Sequence, residues 1–255
     1  MKKYTGYIPE PVRTRDQYVL GGFTKLPKII LQPDGQWDDF LPLDELQKNE
    51  SFDTSNCTGF AITNALEILM KRLGKEKNWS ERGLGIAAGT FPPGNTIQKV
   101  VETVRTKGLI DDELLPFSNW IETPEEYYSP NPLPEVLKQE GLLLVDQEEI
   151  QHEWVDNWRE ALKYSPLVCA VYAWTEENGV YVRNGQDSHL TCVYGYYSDG
   201  RAKVFDSYLP YRKILRADFG FTQMKRFYIK EKQPVNKVGT VGTVGTCWLA
   251  RLFKK

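Results

Sequence analysis

The segment Asp53-Thr54-Ser55-Asn56-Cys57-Thr58-Gly59-Phe60-Ala61-Ile62, continuing to Leu73-Gly74, is where the order of this chain becomes legible. Asp53, Thr54, Ser55 and Asn56 offer a run of helix-capping side chains. After them Ala61, Ala65, Ile68, Leu69 and Leu73 form one helical stripe, and Ile62, Leu66 and Met70 form a second. Gly74 stops the pattern. A helix apolar on two faces belongs inside a domain rather than on its surface. Its first turn carries a cysteine, and that position changes the thiol. Unpaired N–H groups and the positive end of the helix dipole favour a thiolate there.

On either side the character differs. The first 45 or so residues are punctuated by Pro9, Pro11, Gly21, Gly22, Pro27, Pro33, Gly35 and Pro42, which predicts an extended arm over a body. Downstream, Ile97, Val100, Val101 and Val104 predict a second helix over 96–107, closed by Gly108. The proline-rich stretch 116–134 reads as a loop, and 155–164 as another helix. From residue 167 onward β-branched and aromatic residues dominate. They predict strands over 167–174, 190–197, 201–208 and 224–230, with Ser198-Asp199-Gly200 as a hairpin turn. Helices first and strands later make an α+β arrangement of two lobes.

Composition narrows the function. The 255 residues carry 32 Lys plus Arg against 34 Asp plus Glu, a net charge of −2, which argues against nucleic acid as a partner. No apolar run reaches the roughly 18–20 residues of a membrane span, and Met1-Lys2-Lys3 is followed by no signal-peptide core. A cytoplasmic protein is the expectation. Cys57, Cys169, Cys192 and Cys247 are too far apart for a zinc or redox motif, and only His152 and His189 accompany them. Neither a metal nor another cofactor is expected. Cys169 and Cys192 lie in apolar strands and read as core. Cys247 reads as a tail thiol, and His152, among Glu148, Glu149, Glu153 and Asp156, as part of a solvated acidic face.

A nucleophilic cysteine needs a histidine and a group to orient it. His189 opens an apolar strand, and the hairpin brings Asp206 back beside it, where a carboxylate can fix the tautomer and steady the imidazolium. At these residues the chain resembles the papain-like cysteine peptidases. His189 and Asp206 follow Cys57 by 132 and 149 residues, within the family's spacing of about 130–150. Asn56-Cys57-Thr58-Gly59-Phe60-Ala61 is similar to the family's Ser-Cys-Trp-Ala-Phe-Ala. Phe205-Asp206-Ser207-Tyr208 stands where the family has Asn-Ser-Trp, with Asp for Asn. Gly94-Asn95-Thr96, Gly108-Leu109-Ile110 and Leu115-Pro116-Phe117 follow in the family's order. The resemblance covers about residues 27–230.

It implies a two-lobed fold with a helical lobe over roughly 50–140 and a β-rich lobe over roughly 165–232. Residues 27–232 would form the peptidase domain, 1–26 an arm, and 233–255 a tail bearing the Val-Gly-Thr repeat of 238–246. It implies Cys57, His189 and Asp206 as the catalytic set and a peptide or protein as substrate, bound near Gly94 and Asn95. The family's oxyanion glutamine stands six residues before the cysteine. Here that residue is Ser51, and Gln47 is the candidate for the role. Two alternatives stay open: another thiol acyl-transfer enzyme, such as a cell-wall amidase or a transglutaminase-like enzyme, and an inactive scaffold of the same fold.

Overall fold

The computed structural model describes residues 6–11, 26–129 and 133–231. The predicted tail and Cys247 lie outside these residues.

The first long element is α1, Cys57–Arg72, and every residue from Cys57 to Met70 is buried. Its doubly apolar sequence demands this, because each large aliphatic side chain gains about 1.5–3 kcal/mol on leaving water. Glu81–Ala87 (α2) and Ile97–Lys107 (α3) pack beside it. Thr96 caps α3 by accepting from Lys99 N at 3.2 Å, and Gly108 closes it. Between them Gly94–Asn95 (β2) pairs in parallel with Gly6–Tyr7 (β1).

The stretch predicted as loop contains short turns of helix at Pro124–Tyr127 (α4) and Leu133–Val136 (α5). Thr123 caps the first and Pro124 opens it, a start that suits proline because the first helical N–H has no partner to lose. A π turn at Leu137–Gly141 leads into Leu142–Gln147 (α6).

The second half is one sheet. Its strands are Glu148–Trp154 (β3), Leu167–Glu177 (β4), Val180–Tyr196 (β5), Ala202–Phe205 (β6), Arg212–Leu215 (β7) and Met224–Glu231 (β8). Their order is β3-β8-β4-β5-β6-β7, and β7 meets the start of β5 again at Tyr181↔Leu215. The β5–β6 hairpin has the register its Ser-Asp-Gly turn predicts, with Cys192 opposite Phe205 and Val193 opposite Val204. A single apolar cluster joins α1 and α3 to β4, β5 and β6. Cys169 and Cys192 sit inside it, fully buried.

Two expectations fail here. Only Trp158–Ala161 (α7) is helical within 155–164, because Asn157 caps it there by accepting from Glu160 N at 3.2 Å. The acidic run around His152 is no solvated face. His152 is 2% exposed in β3, where its Nε2 donates to Glu102 Oε1 (2.8 Å) and its Nδ1 accepts from the buried Lys225 (3.0 Å). Burial, reinforced by Lys225, pushes its pKa down to about 4, against the pull of Glu102. Glu153 likewise pairs with Arg226 at 2.6 Å, and the two clamp the backbone of Leu26 and Pro27. An alternating strand hides such residues when each has a partner across the sheet.

The helical side holds a second group of acids, with Glu67 and Glu81 buried and Glu45 and Asp112 half-buried beside them. Glu67 accepts from Trp79 N at 2.7 Å, Glu45 from Asn78 Nδ2 at 2.9 Å, and Glu81 is hydrogen-bonded to Glu45. Among the described residues no ion pair joins any of the four. Burial, then mutual repulsion, raises Glu81 and Glu67 well above the carboxylate range, and Asp112 to about 6. A carboxyl raised in the folded state binds more protons there than in the unfolded chain. Stability from these acids is therefore full below about pH 4 and falls as pH rises, the share of Asp112 being lost through about 6. Glu81→Gln should raise the thermal midpoint at pH 7.5 by several degrees, at about 2–4 °C per kcal/mol, and leave it nearly unchanged at pH 4.5. An equal shift at both pH values, read by differential scanning calorimetry, would contradict the charge repulsion.

Candidate active site

The chain enters α1 through a strained turn. Ser55 has φ of 55°, a left-handed conformation that costs a non-glycine residue about 1–3 kcal/mol. Asp53 Oδ1 holds it by accepting from Ser55 N at 2.8 Å. Asn56 then occupies the capping position without capping. Its side-chain amide turns away to donate to Glu81 O (2.8 Å) and Tyr127 Oη (3.2 Å). No side chain from the cap thus takes the first N–H groups of α1, and Cys57 stands among them, buried.

His189, on β5, meets Cys57 across the interface between helix and sheet, close enough for the sulfur to act on its charge. Its Nε2 lies 2.5 Å from Asp206 Oδ1, which leaves Nδ1 as the nitrogen facing the thiol. Both side chains of the His–Asp pair are fully buried. The rings of Trp174 and Tyr208 pack against the imidazole at centroid distances of 5.3 and 5.4 Å and close it off from water. Burial alone pushes His189 toward its neutral form. Asp206 and Cys57 reverse this and lift its pKa to about 10. Asp206 feels the same contest: burial raises it, and His189 with Lys213 brings it below the usual carboxylate range. The arrangement favours imidazolium beside the Cys57 sulfur.

Gln47 is buried at the same place. Its Oε1 accepts from Ser207 Oγ at 2.5 Å, and its Nε2 donates to Tyr208 Oη at 2.6 Å and Asp53 Oδ1 at 3.0 Å. Both amide hydrogens are therefore engaged. Tyr208 in turn donates to Asp53 Oδ2. Ser51, at the family's usual position, is exposed.

Gly94 and Asn95 lie at the rim beside Cys57, but β1 occupies their edge. Ile8 N donates to Asn95 O at 2.8 Å, and Thr58 Oγ1 donates to Gly6 O at 2.8 Å. A Cβ on Gly6 would stand 2.8 Å from Cys57 Sγ. The segment is anchored beyond the thiol as well, because Glu10 Oε1 accepts from Gln98 N at 2.7 Å and Tyr7 Oη donates to Gln223. The side chain of Asn95 is spent on its own loop, bonding Thr90 Oγ1, Ala88 O and Thr96 N. Only backbone remains at this edge for an incoming chain.

All six sequence-derived candidates thus fall in one neighbourhood. Tyr208, Asp53, Trp174, Gly6 and Lys213 join them, none of which the sequence alone marked as a site residue. Among the described residues no group of three His, Cys, Asp or Glu is placed to hold a metal ion, and no helix is long and apolar enough to cross a membrane.

No protein-family model matches the chain, and no curated protein matches it in sequence. Solved structures do. Xylellain, a cysteine protease from Xylella fastidiosa, superposes with a TM-score of 0.62 at 14% identity, over 91% of this chain and 96% of that one. The cysteine protease and lectin-like domains of Cwp84, a surface layer associated protein of Clostridium difficile, give 0.59 at 12% identity, over 91% and 57%. The stem bromelain precursor gives 0.54 at 18% identity, over 89% and 77%. With its buried α1 opening on a cysteine and its antiparallel sheet carrying the histidine, the chain has the α+β fold of the papain-like cysteine proteases.

Proposed function

We propose that this chain is a cysteine peptidase that hydrolyses peptide bonds by acyl transfer through Cys57, His189 and Asp206. The supporting observation is the buried row of Cys57, His189 and Asp206, with the thiol at an uncapped helix N-terminus and the imidazole held by a carboxylate at 2.5 Å. In this reading Cys57 attacks the substrate carbonyl as a thiolate. The oxyanion collects the backbone N–H of Cys57 and the Gln47 amide, which must first release Tyr208 or Asp53. His189 protonates the leaving amine, forming a thioester, and then takes a proton from the water that hydrolyses it. Asp206 holds the ring throughout.

Residues 27–232 form the peptidase body in this proposal, and the substrate is a peptide or protein segment lying along Gly94–Asn95. Residues 6–11 act as a strap over the thiol, and catalysis requires them to withdraw. A reducing, cytoplasmic setting suits a nucleophile that works only as a thiolate. The contact of Gly6 with Cys57 favours a second reading, an inactive scaffold in which the strap never leaves.

A thiol-directed epoxide separates the two. It should label Cys57 selectively, and His189→Ala should slow that labelling by about 10²–10⁴-fold, as read by peptide mass mapping. Labelling of Cys57 no faster than that of Cys247 would sink the peptidase reading. Deleting residues 1–11 should raise the Cys57 labelling rate at least tenfold, as for a site open less than about a tenth of the time. An unchanged rate would mean the strap does not gate the thiol. The sign of the pH dependence follows from His189. Its charge is retained until pH rises through about 10, so the alkaline limb of the labelling profile should lie far above neutrality, and a limb near pH 7 would contradict the Asp206 pairing.

A further inference from the structure

Asp206 presents two oxygens, and the catalytic reading uses one. Oδ1 faces His189. Oδ2 receives Lys213 Nζ at 2.5 Å. Lys213, from β7, is as deeply buried as the acid, with neither side chain exposed. Its other two ammonium hydrogens go to Tyr208 O at 2.5 Å and Pro210 O at 2.6 Å. All three donors are thus satisfied within the loop that joins Asp206 to β7. The ammonium also lies 5.4 and 5.7 Å from the ring centroids of Trp174 and Tyr181. Trp174 is the same ring that packs on His189.

We infer that Lys213 is a fourth member of the site, a positioning residue that acts through Asp206 by fixing the carboxylate and balancing its charge. The inference rests on the thiolate–imidazolium reading above and deepens it. Thiolate, imidazolium, carboxylate and ammonium sum to zero, so the row can be buried without a surplus charge. Without Lys213 the same row carries one uncompensated negative charge in a place water does not reach. The ammonium also has a chemical consequence. A lone carboxylate holds an imidazolium proton too tightly for ready transfer to a leaving amine, and a cation on its far oxygen weakens that hold.

The three bonds from Lys213 also fix the geometry. Asp206 follows β6 directly, its backbone N donates to Tyr211 O at 2.7 Å, and Lys213 ties its side chain to the returning strand. The titratable groups that face His189 are Cys57 on α1, Asp206 after β6 and Tyr208 in the following loop. Lys213 on β7 faces Asp206, and Asp53 faces Tyr208. Of these, Lys213 is the one whose positive charge opposes protonation of the ring.

Because the chain holds only two histidines, ¹⁵N-histidine NMR reads His189 directly in the full-length protein. Cys57→Ala serves as the background, so that the thiolate does not contribute. In that background Lys213→Met should raise the His189 midpoint by about one unit or more, a tenfold or greater change in proton affinity, while His152 stays put. An unmoved His189 midpoint in a folded Lys213→Met protein would leave Lys213 a merely structural residue and overturn the inference. If Lys213→Met does not fold, Lys213→Gln, which keeps a donor near the carboxylate but not the charge, takes its place. It should titrate His189 higher as well, and an unmoved midpoint would overturn the proposal. These readings need no turnover, so they stand apart from the peptidase claim. That claim falls instead if the otherwise unaltered chain shows Cys57 alkylated by iodoacetamide with the single ionisation of an ordinary thiol.

Discussion

The hydrogen bond between His189 and Asp206, fully buried at 2.5 Å, is the constraint around which the rest of the molecule is arranged. An imidazolium and a carboxylate can be taken out of water only when their remaining hydrogen-bonding capacity is met, and removing one partner of such a pair costs about 3–5 kcal/mol. The surrounding elements supply what is needed. β5 and β6 run antiparallel so that the two residues meet across a hairpin. β7 brings Lys213 to the second carboxylate oxygen. Trp174 and Tyr208 wall off the ring, and α1 presents its uncapped N-terminus to the one remaining ring nitrogen. Tyr208 belongs to two networks at once, packing on His189 and bonding Asp53 and Gln47, so it couples the His–Asp pair to the turn that positions Cys57.

Much of this was legible from the chain because it rests on local rules. The doubly apolar pattern of α1, the apolar stripe of α3 and the Ser-Asp-Gly hairpin each depend on residues close in sequence. The hairpin alone fixes the neighbourhood of His189 and Asp206. The partnership with Cys57 was legible only through the spacing and order of the resemblance, since nothing local says which helix faces which strand. What escaped is of a different kind. Tyr211-Arg212-Lys213-Ile214-Leu215 looks like an ordinary edge strand with two exposed cations, yet Arg212 is exposed and Lys213 is 2% exposed. The alternation of a strand tells which residues share a face, not whether a charged face finds a buried partner. His152 escaped for the same reason: its acidic neighbours read as a solvated surface until Lys225, 73 residues away, supplied the missing cation.

Gly6 and Gly94 show how a backbone contact can be more demanding than a side-chain one. Both adopt positive φ, 127° and 131°, a region that side-chain-bearing residues avoid. A Cβ on Gly94 would stand 2.3 Å from Gly6 backbone atoms, and one on Gly6 would stand 2.7 Å from Ser55 O. The two glycines let three stretches of main chain converge over one sulfur. The same property that leaves β2 an edge for main-chain pairing makes it one that the chain's own first strand fills. β1 runs parallel to β2, it carries no side chain at the point nearest Cys57, and Thr58, Asn95, Gln98 and Gln223 hold it from around the thiol. An occupant held in this way by flanking contacts is removable without dismantling the His–Asp–Lys row beneath it, because none of its anchors is a member of that row.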